Sequence, residues 1–396
     1  MCETREVYIV GAARTAIGNF LGTLKNFTAP DLGGVAIKAA LQRAGIGGAD
    51  VDEVIMGNVV TAGVGQAPAK QALVKGGIPV TVNSFTVNKV CGSALKAVAL
   101  AAQSIQVEQN EVVVAGGMES MSQSPHLLWG AREGVKMGQL QLKDSMIHDG
   151  LWCAFDNQHM GMTGEVIVEK FGASRQEQDA YAVSSHQKAI QAIDKGYLKD
   201  EIVPVEVPQR KGDPLLFAVD EGPRRDASLE KLEKLRPVFK KDGTVTAGNA
   251  SSLNDGAAAV VVASGDAIKK KGLKPLARIV GVAANALEPA MVMYAPKGAI
   301  EKLLANIGWK HEEVDLFEIN EAFSSQLVIL IRELGLDREK VNVHGGAVAL
   351  GHPIGATGAR ILTTLLYALR HRNLKRGVAA LCLGGGDAIA MAVETA

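Results

Sequence analysis

Two cysteines, a histidine and an asparagine carry the types and spacing from which this 396-residue chain could do chemistry. Cys91 stands in Asn88-Lys89-Val90-Cys91-Gly92-Ser93, directly ahead of Ala94 to Ala102, a run that is apolar on almost every side. That run reads as a buried helix. Cys91 then falls at a helix N-terminus, where unpaired N–H groups and the positive end of the macrodipole favour a thiolate. Gly92 leaves room for a second group to reach the sulfur. A lone cysteine is also a good small core hydrophobe, and at this point both readings stand. Cys382 closes an apolar run and is followed by Leu383-Gly384-Gly385-Gly386. Carboxyl ends of strands are where α/β proteins build sites, and glycines there expose N–H groups able to hold an oxyanion. His352 lies in a segment from Gly345 to Gly358 with five glycines and one proline. This tight loop opens a second buried helix, whose dipole predicts a neutral, hydrogen-bonding imidazole. Asn320, in Asn320-Glu321-Ala322-Phe323 after the apolar Leu316 to Ile319, either caps the next helix or positions a water.

Other chemistries lack their equipment. There is no C-x-x-C for a zinc ribbon, and His311-Glu312 lacks the second histidine of a zincin, so no metal is expected. G-x-S-x-G, G-x-x-x-x-G-K-[ST] and G-x-G-x-x-G are all missing, which removes a hydrolase elbow and the common nucleotide cradles. Forty-two Lys and Arg balance forty-two Asp and Glu, for a net charge of zero. That balance argues against nucleic acid as a partner. Four scattered cysteines (Cys2, Cys91, Cys153, Cys382) make no disulfide framework and point to a reducing compartment. The first residues are too few and too acidic for a signal peptide. The apolar stretch Val378 to Val393 is broken by Gly384-Gly385-Gly386-Asp387, so no membrane span is expected. The expectation is a soluble, cytoplasmic enzyme or binding protein.

Positioning these residues falls to short apolar runs alternating with Ala-rich segments of helical length. Val7–Val10, Val54–Met56, Val112–Ala115, Ala258–Ala263, Leu316–Ile319 and Val378–Leu383 read as buried strands; Val35–Ala44, Ser93–Ile105, Lys297–Ile307 and Thr357–Leu369 read as helices. The alternation predicts an α/β protein with sheets covered on both faces. With 47% hydrophobic residues, 44 glycines and only 4% aromatics, its core is small aliphatics around close backbone approaches. The chain also resembles itself. Ala36-Ile37, Leu41, Gly45 and Val51-Asp52 recur as Ala299-Ile300, Leu304, Gly308 and Val314-Asp315, each 263 residues on (314 − 51). Ser93–Ile105 with the strand after it likewise parallels Thr357–Leu369 with Leu381 to Gly386. Two α/β halves of like topology flank a middle, roughly 120 to 250, that lacks the pattern and is a natural place for substrate contacts.

In these residues the chain resembles the thiolase family over essentially its whole length. Asn88 to Ser93 is similar to the family's nucleophile loop, Gly116 to Ser122 to the strand end after it, and His159-Met160-Gly161 to the loop over pantetheine. Gly243 to Gly256 resembles the return into the second core half; Asn320 to Phe323, Gly351 to Gly355 and Cys382 to Gly386 complete the set, in the family's order. The resemblance implies a five-layered αβαβα core of two duplicated halves with an inserted loop domain, divided as 1–120, 121–251 and 252–396. It implies a short-chain acetyl-CoA acetyltransferase joining two acetyl-CoA into acetoacetyl-CoA plus CoA, with CoA thioesters as substrates and no cofactor. Cys91 would be the nucleophile, His352 its base and later a donor to the thioester oxygen, and Cys382 the base for the α-proton. Asn320 would hold a water that shares one oxyanion hole with His352, and the N–H groups of Cys91 and Gly384 would form the other. His159, Ser251 and Arg224 would contact CoA, Arg224 at the adenine end, with Met160 lining the acyl pocket. A homodimer or homotetramer is implied as well. The rivals are a degradative 3-ketoacyl-CoA thiolase of broader chain length, a decarboxylating ketoacyl synthase (which pairs its cysteine with two histidines), and a non-catalytic carrier on the same scaffold. Ala94, His344, Met291 to Lys297 and Asp387 depart from the family's commoner residues; Asp387 is expected to put a carboxylate near the rear wall of the site and trim the acyl pocket.

Overall fold

The structure is a computed structural model describing residues 5–134 and 136–396, so Cys2 lies outside the described residues. The first half runs β1 (Val7–Thr15), α1 (Ala29–Ala44), β2 (Glu53–Gly57), α2 (Pro68–Lys75), β3 (Asn83–Val87), α3 (Ser93–Gln106) and β4 (Val112–Ser120). A long excursion carrying α4 (Gly161–Phe171) and α5 (Arg175–Asp194) follows before β5 (Asn254–Ser264). The second half runs β6 (Ala277–Ala286), α6 (Ala295–Ile307), β7 (Leu316–Ile319), α7 (Ser324–Leu334), α8 (Thr357–Arg372), β8 (Arg376–Leu383) and β9 (Asp387–Thr395).

The strands hydrogen-bond in the order β7-β8-β9-β6-β1-β5-β4-β2-β3. Each half repeats one plan. β3, β2 and β4 are parallel and β5 lies antiparallel between β4 and β1; β7 and β8 are parallel and β9 lies antiparallel between β8 and β6. Val341 bridges Phe317 where β3 would stand. The half-sheets touch where β1 and β6 pair over Tyr8–Arg278 and Ile9–Ala277. α1 and α2 cover the outer face of the first half-sheet and α6 the second, while α3 and α8 lie between the sheets.

Local chemistry accounts for these elements. α1 opens with a Thr28–Asp31 capping box and stops at Gly45, whose φ is 72°; its counterpart α6 stops at Gly308, also at 72°. All eleven residues of β5 are buried, as two covered faces require. α8 is buried without a break from Thr357 to Leu369. It approaches α3 so closely that a Cβ on Gly358 would lie 2.4 Å from the Leu95 amide nitrogen. An Ala-rich, aromatic-poor core follows from that spacing.

The expected boundary at 252 fails in one respect. Asp255 to Ala263 pair opposite Ser120 to Val112, so the chain returns from its excursion into the first half, and the second half starts with β6. The excursion stands where the second half has only the turn Gly384-Gly385-Gly386 between β8 and β9.

Candidate active site

The residues singled out for chemistry sit in or just after strand ends and on the loops opening helices, from both halves. Cys91 lies between β3 and α3, Asn320 just after β7, His352 ahead of α8, and Cys382 near the end of β8. Cys91, His352, Cys382 and Gly384 all line one cavity of about 400 Å³ whose wall is mostly apolar. The loop at Cys91 is strained: Val90, a β-branched residue, has φ 46°. It is held by Asn88 Oδ1 accepting from the Val90 N–H at 3.0 Å, by Ser93 Oγ donating to the Val90 carbonyl at 2.6 Å, and by the Lys89 N–H donating to Ser93 Oγ at 2.9 Å. Glycine lets the two sides approach closely. A Cβ on Gly92 would lie 2.3 Å from Leu383 Cδ2, and one on Gly384 would lie 3.1 Å from Val90 Cγ1.

The hydrogen bonds fix the imidazole. Thr357 Oγ1 donates to the Pro353 carbonyl at 2.9 Å, so it accepts from His352 Nδ1–H at 2.7 Å. This assigns the proton to Nδ1 and leaves Nε2 bare, 3.5 Å from Asn320 Nδ2. Burial, with the Arg360 charge adding to it, lowers the ring's pKa to about 3. The neutral imidazole expected from the helix dipole is thus present, but desolvation is its main cause. At Cys91 the thiolate expectation is corrected. Burial, then the Cys382 sulfur, raise the thiol well above its usual range, while the N–H groups of Gly384 and of Cys91 itself pull the other way. Burial also raises the Cys382 thiol to about 11, opposed by the Gln326 carboxamide and its own N–H. Met293 Sδ is 3.8 Å from the Cys382 sulfur.

Asn320 does not cap α7, whose N-cap is Phe323. Its Oδ1 is buried with no protein partner. Glu321 turns the other way and accepts from Tyr181 Oη (2.9 Å) and Ser185 Oγ (2.7 Å) on α5, from Asn342 Nδ2 (2.9 Å) and from the Val348 N–H (3.0 Å). The excursion is thereby fastened to the end of β7 that bears Asn320. Residues 249–251 run beside 322–324, the Ser251 N–H donating to the Ala322 carbonyl at 3.0 Å. His159, Met160 and Ser251 all line the cavity. His159 stacks on Phe239 at 4.8 Å and its Nδ1 accepts from the Gly161 N–H at 3.0 Å, which puts its proton on Nε2.

Arg224 lies apart, lining a separate surface depression with Lys195 and Arg225. Asp387 is a correction. It is not among the residues lining the cavity; it forms an ion pair with Lys89, because it begins β9 beyond the glycine turn. Three neighbours were not anticipated from sequence: Thr357, which sets the tautomer of His352; Gln326, which faces Cys382; and Glu119. The carboxyl of Glu119, buried and raised to about 7, accepts from the Val59, Val60 and Gly355 N–H groups and from Asn58 Nδ2. Only the five-residue spacing of His352 and Thr357 on one loop offered a signal for any of them.

Two thiols, a neutral imidazole and convergent N–H groups around an apolar cavity are the equipment of covalent acyl transfer, one sulfur to carry the acyl group and one to move a proton. The chain belongs to the thiolase family: the profile "Thiolase, N-terminal domain" matches residues 7–266 and "Thiolase, C-terminal domain" matches 273–395. It is 53% identical over 387 residues to an acetyl-CoA acetyltransferase of Pseudomonas aeruginosa, covering 98% of each chain. It is 54% identical to that of Chromobacterium violaceum over 389 residues, covering 98% of this chain and 99% of the other. The crystal structure of the Bacillus anthracis acetyl-CoA acetyltransferase superposes with a TM-score of 0.97 at 43% identity, covering 99% of each.

Proposed function

We propose that the protein is an acetyl-CoA C-acetyltransferase, catalysing the reversible Claisen condensation of two acetyl-CoA to acetoacetyl-CoA and CoA through an acetyl-cysteine. The observation that carries the reading is the meeting of Cys91, His352 and Cys382 on one cavity; the names of the relatives support it. In the first half-reaction His352 Nε2 takes the Cys91 proton as the sulfur attacks the thioester carbonyl. The oxyanion is held by the N–H groups of Cys91 and Gly384. Cys382 gives its proton to the departing CoA sulfur, so acetyl-Cys91 forms while Cys382 becomes a thiolate and His352 an imidazolium. These opposite charges appear together, which is how a thiol near 11 and an imidazole near 3 both change state. One thioester replaces another, so this exchange costs little and frees the CoA site, giving ping-pong kinetics.

In the second half-reaction the Cys382 thiolate removes the α-proton of a second acetyl-CoA. The enolate oxygen is stabilised by His352 and by a water on Asn320, whose orphaned Oδ1 supports that role. The enolate carbon attacks acetyl-Cys91, the Cys91 sulfur leaves and regains its proton from His352, and acetoacetyl-CoA is released. His159 and Ser251 contact the CoA arm, Met160 lines the acyl pocket, and Arg224 reaches the adenine end from its surface position. No cofactor or metal takes part.

Three of the four cysteines are described and none is bonded to another. A reaction needing two free thiols suits the cytoplasm, and no described helix is long and apolar enough to cross a membrane. Assembly as a homodimer or homotetramer is supported by the edge strand β3, where Phe85 is 41% exposed, and by exposed Leu128, Trp129 and Leu142 in and beside the short hairpin 126–144. The test is trapping with labelled acetyl-CoA and a comparison of kcat/KM for C4 and C8 3-ketoacyl-CoAs. Label on Cys91 and a strong C4 preference are expected. Label that persists in Cys91→Ala would refute the nucleophile, and equal C4 and C8 values would favour the broader degradative enzyme.

A further inference from the structure

The nucleophile loop comes from one half of the molecule and the Gly384 N–H from the other, so acyl transfer depends on their alignment. We propose that the ion pair Lys89–Asp387 is a positioning device that holds the Cys91 loop against the Gly384 turn and thereby sets the rate at which Cys91 is acylated. The proposal rests on the roles of Cys91 and Gly384 given above.

The two ends of the pair differ in rigidity. Asp387 stands opposite Leu383 across β8–β9 and opposite Ala286 across β6–β9. The turn before it is braced as well: the Leu287 N–H donates to the Gly386 carbonyl at 2.9 Å, and a Cβ on Gly386 would lie 2.2 Å from the Leu287 carbonyl oxygen. Lys89, by contrast, adjoins Val90, whose left-handed backbone persists only if its surroundings impose it. The bonds from Asn88 and Ser93 that hold Val90 stay within the loop. The contacts of Gly92 with Leu383 and of Gly384 with Val90 reach across, but they are apolar and give no direction. The Lys89 ammonium on the Asp387 carboxylate supplies it: a directed tie from the residue two before Cys91 to the residue three after Gly384. Both side chains are about one-third exposed and neither lines the cavity, so the tie acts from outside, through the loop.

The experiment measures single-turnover acetylation of Cys91 by quench and mass spectrometry, with steady-state KM and thermal melting alongside. The proteins are wild type, Lys89→Met, Asp387→Asn and the exchanged pair Lys89→Asp/Asp387→Lys. A pair exposed to this extent adds little to global stability, so all four are expected to fold and melt alike. Each single variant should acetylate about tenfold more slowly, the scale of a small misalignment of reacting groups, with KM for acetyl-CoA within about twofold. The exchanged pair should recover most of the rate. Wild-type acetylation rates in both single variants would overturn the proposal, as would an exchanged pair no faster than they are. A raised KM confined to Lys89→Met would overturn it too, by making Lys89 a direct CoA contact. A wild-type enzyme that takes no acetyl group on Cys91 would remove the functional reading and this proposal with it.

Discussion

The Cys91 sulfur sits before an α-helix, which favours a thiolate, and in an apolar cavity beside a second sulfur, which opposes one; the balance leaves it protonated at rest. In the proposed mechanism its proton therefore leaves during attack, into an imidazole kept neutral by burial. This shapes the pH dependence. His352 becomes protonated, and unable to serve as the proposed base, only as pH falls toward 3; Cys382 becomes deprotonated, and unable to serve as the proposed acid, only as pH rises toward 11. Acetylation of Cys91, followed by rapid quench, should show no imidazole limb near the ordinary histidine value of about 6.5. An inflection near 7 belongs to Glu119, ionised above that value, and should vanish in Glu119→Gln. Cys382→Ser should still take up acetyl but condense more slowly by about 100-fold or more; normal condensation would refute the division of labour between the sulfurs. Thr357→Val removes the acceptor that holds His352 in its tautomer and should lower kcat about 100-fold, with Thr357→Ser restoring most of it.

At the scale of elements, the two halves are fastened at the site by buried carboxylates. Glu321 joins β7 to α5 and to the loop before α8, and Glu119 at the end of β4 holds the loop after His352 through the Gly355 N–H. Each buried donor left without an acceptor costs about 1–3 kcal/mol. Glu321→Ala, which strands three of them while Asn342 Nδ2 keeps the Ile319 carbonyl, should lower unfolding stability by at least about 3 kcal/mol in urea titration, and should raise KM for acetyl-CoA if the excursion holds CoA as proposed. A change below about 0.5 kcal/mol, the scale of an ordinary surface substitution, would show that α5 is held by apolar packing alone. Glu119 adds a pH dependence to stability. Its folded pKa of about 7 lies above the usual carboxyl value, so its contribution is greatest below that usual value and is lost as pH rises toward 7.

Over the whole molecule, the duplication supplies two equivalent helix openings between two sheets, one delivering Cys91 and the other lying beside His352. The same plan gives two equivalent positions for an excursion, after β4 in the first half and after β8 in the second. The first half fills its position with more than a hundred residues, the second with a three-glycine turn. The long one supplies His159, Met160 and Ser251, the short one Gly384. β3 ends the first half-sheet with its outer edge unpaired. Phe85→Arg on that edge should shift sedimentation toward the monomer; an unchanged distribution would move the interface elsewhere.

Every strand and helix read from apolar periodicity is present, because runs such as Ala258–Ala263 and Thr357–Leu369 are buried on all sides and their burial is written in composition. β6 and β9 escaped. β6 alternates half-buried positions among small residues, and β9 hid behind the glycine turn that had read only as an interruption. α7 packs against α4 and α5 of the excursion, and all three carry polar residues that break the all-apolar signature. The candidate residues Cys91, His352, Cys382 and Asn320 were legible because each stands at a glycine-marked or strand-end position of the chain. Their meeting was implied only by the family resemblance and not by their spacing, and neither showed the protonation states of the thiols or the outward turn of Asp387 to Lys89. Which groups exist, and which local turns they occupy, is set by side-chain type and backbone preference along the sequence. Distances between residues nearly three hundred positions apart, and the burial that moves their pKa values, arise only when the two halves close on each other.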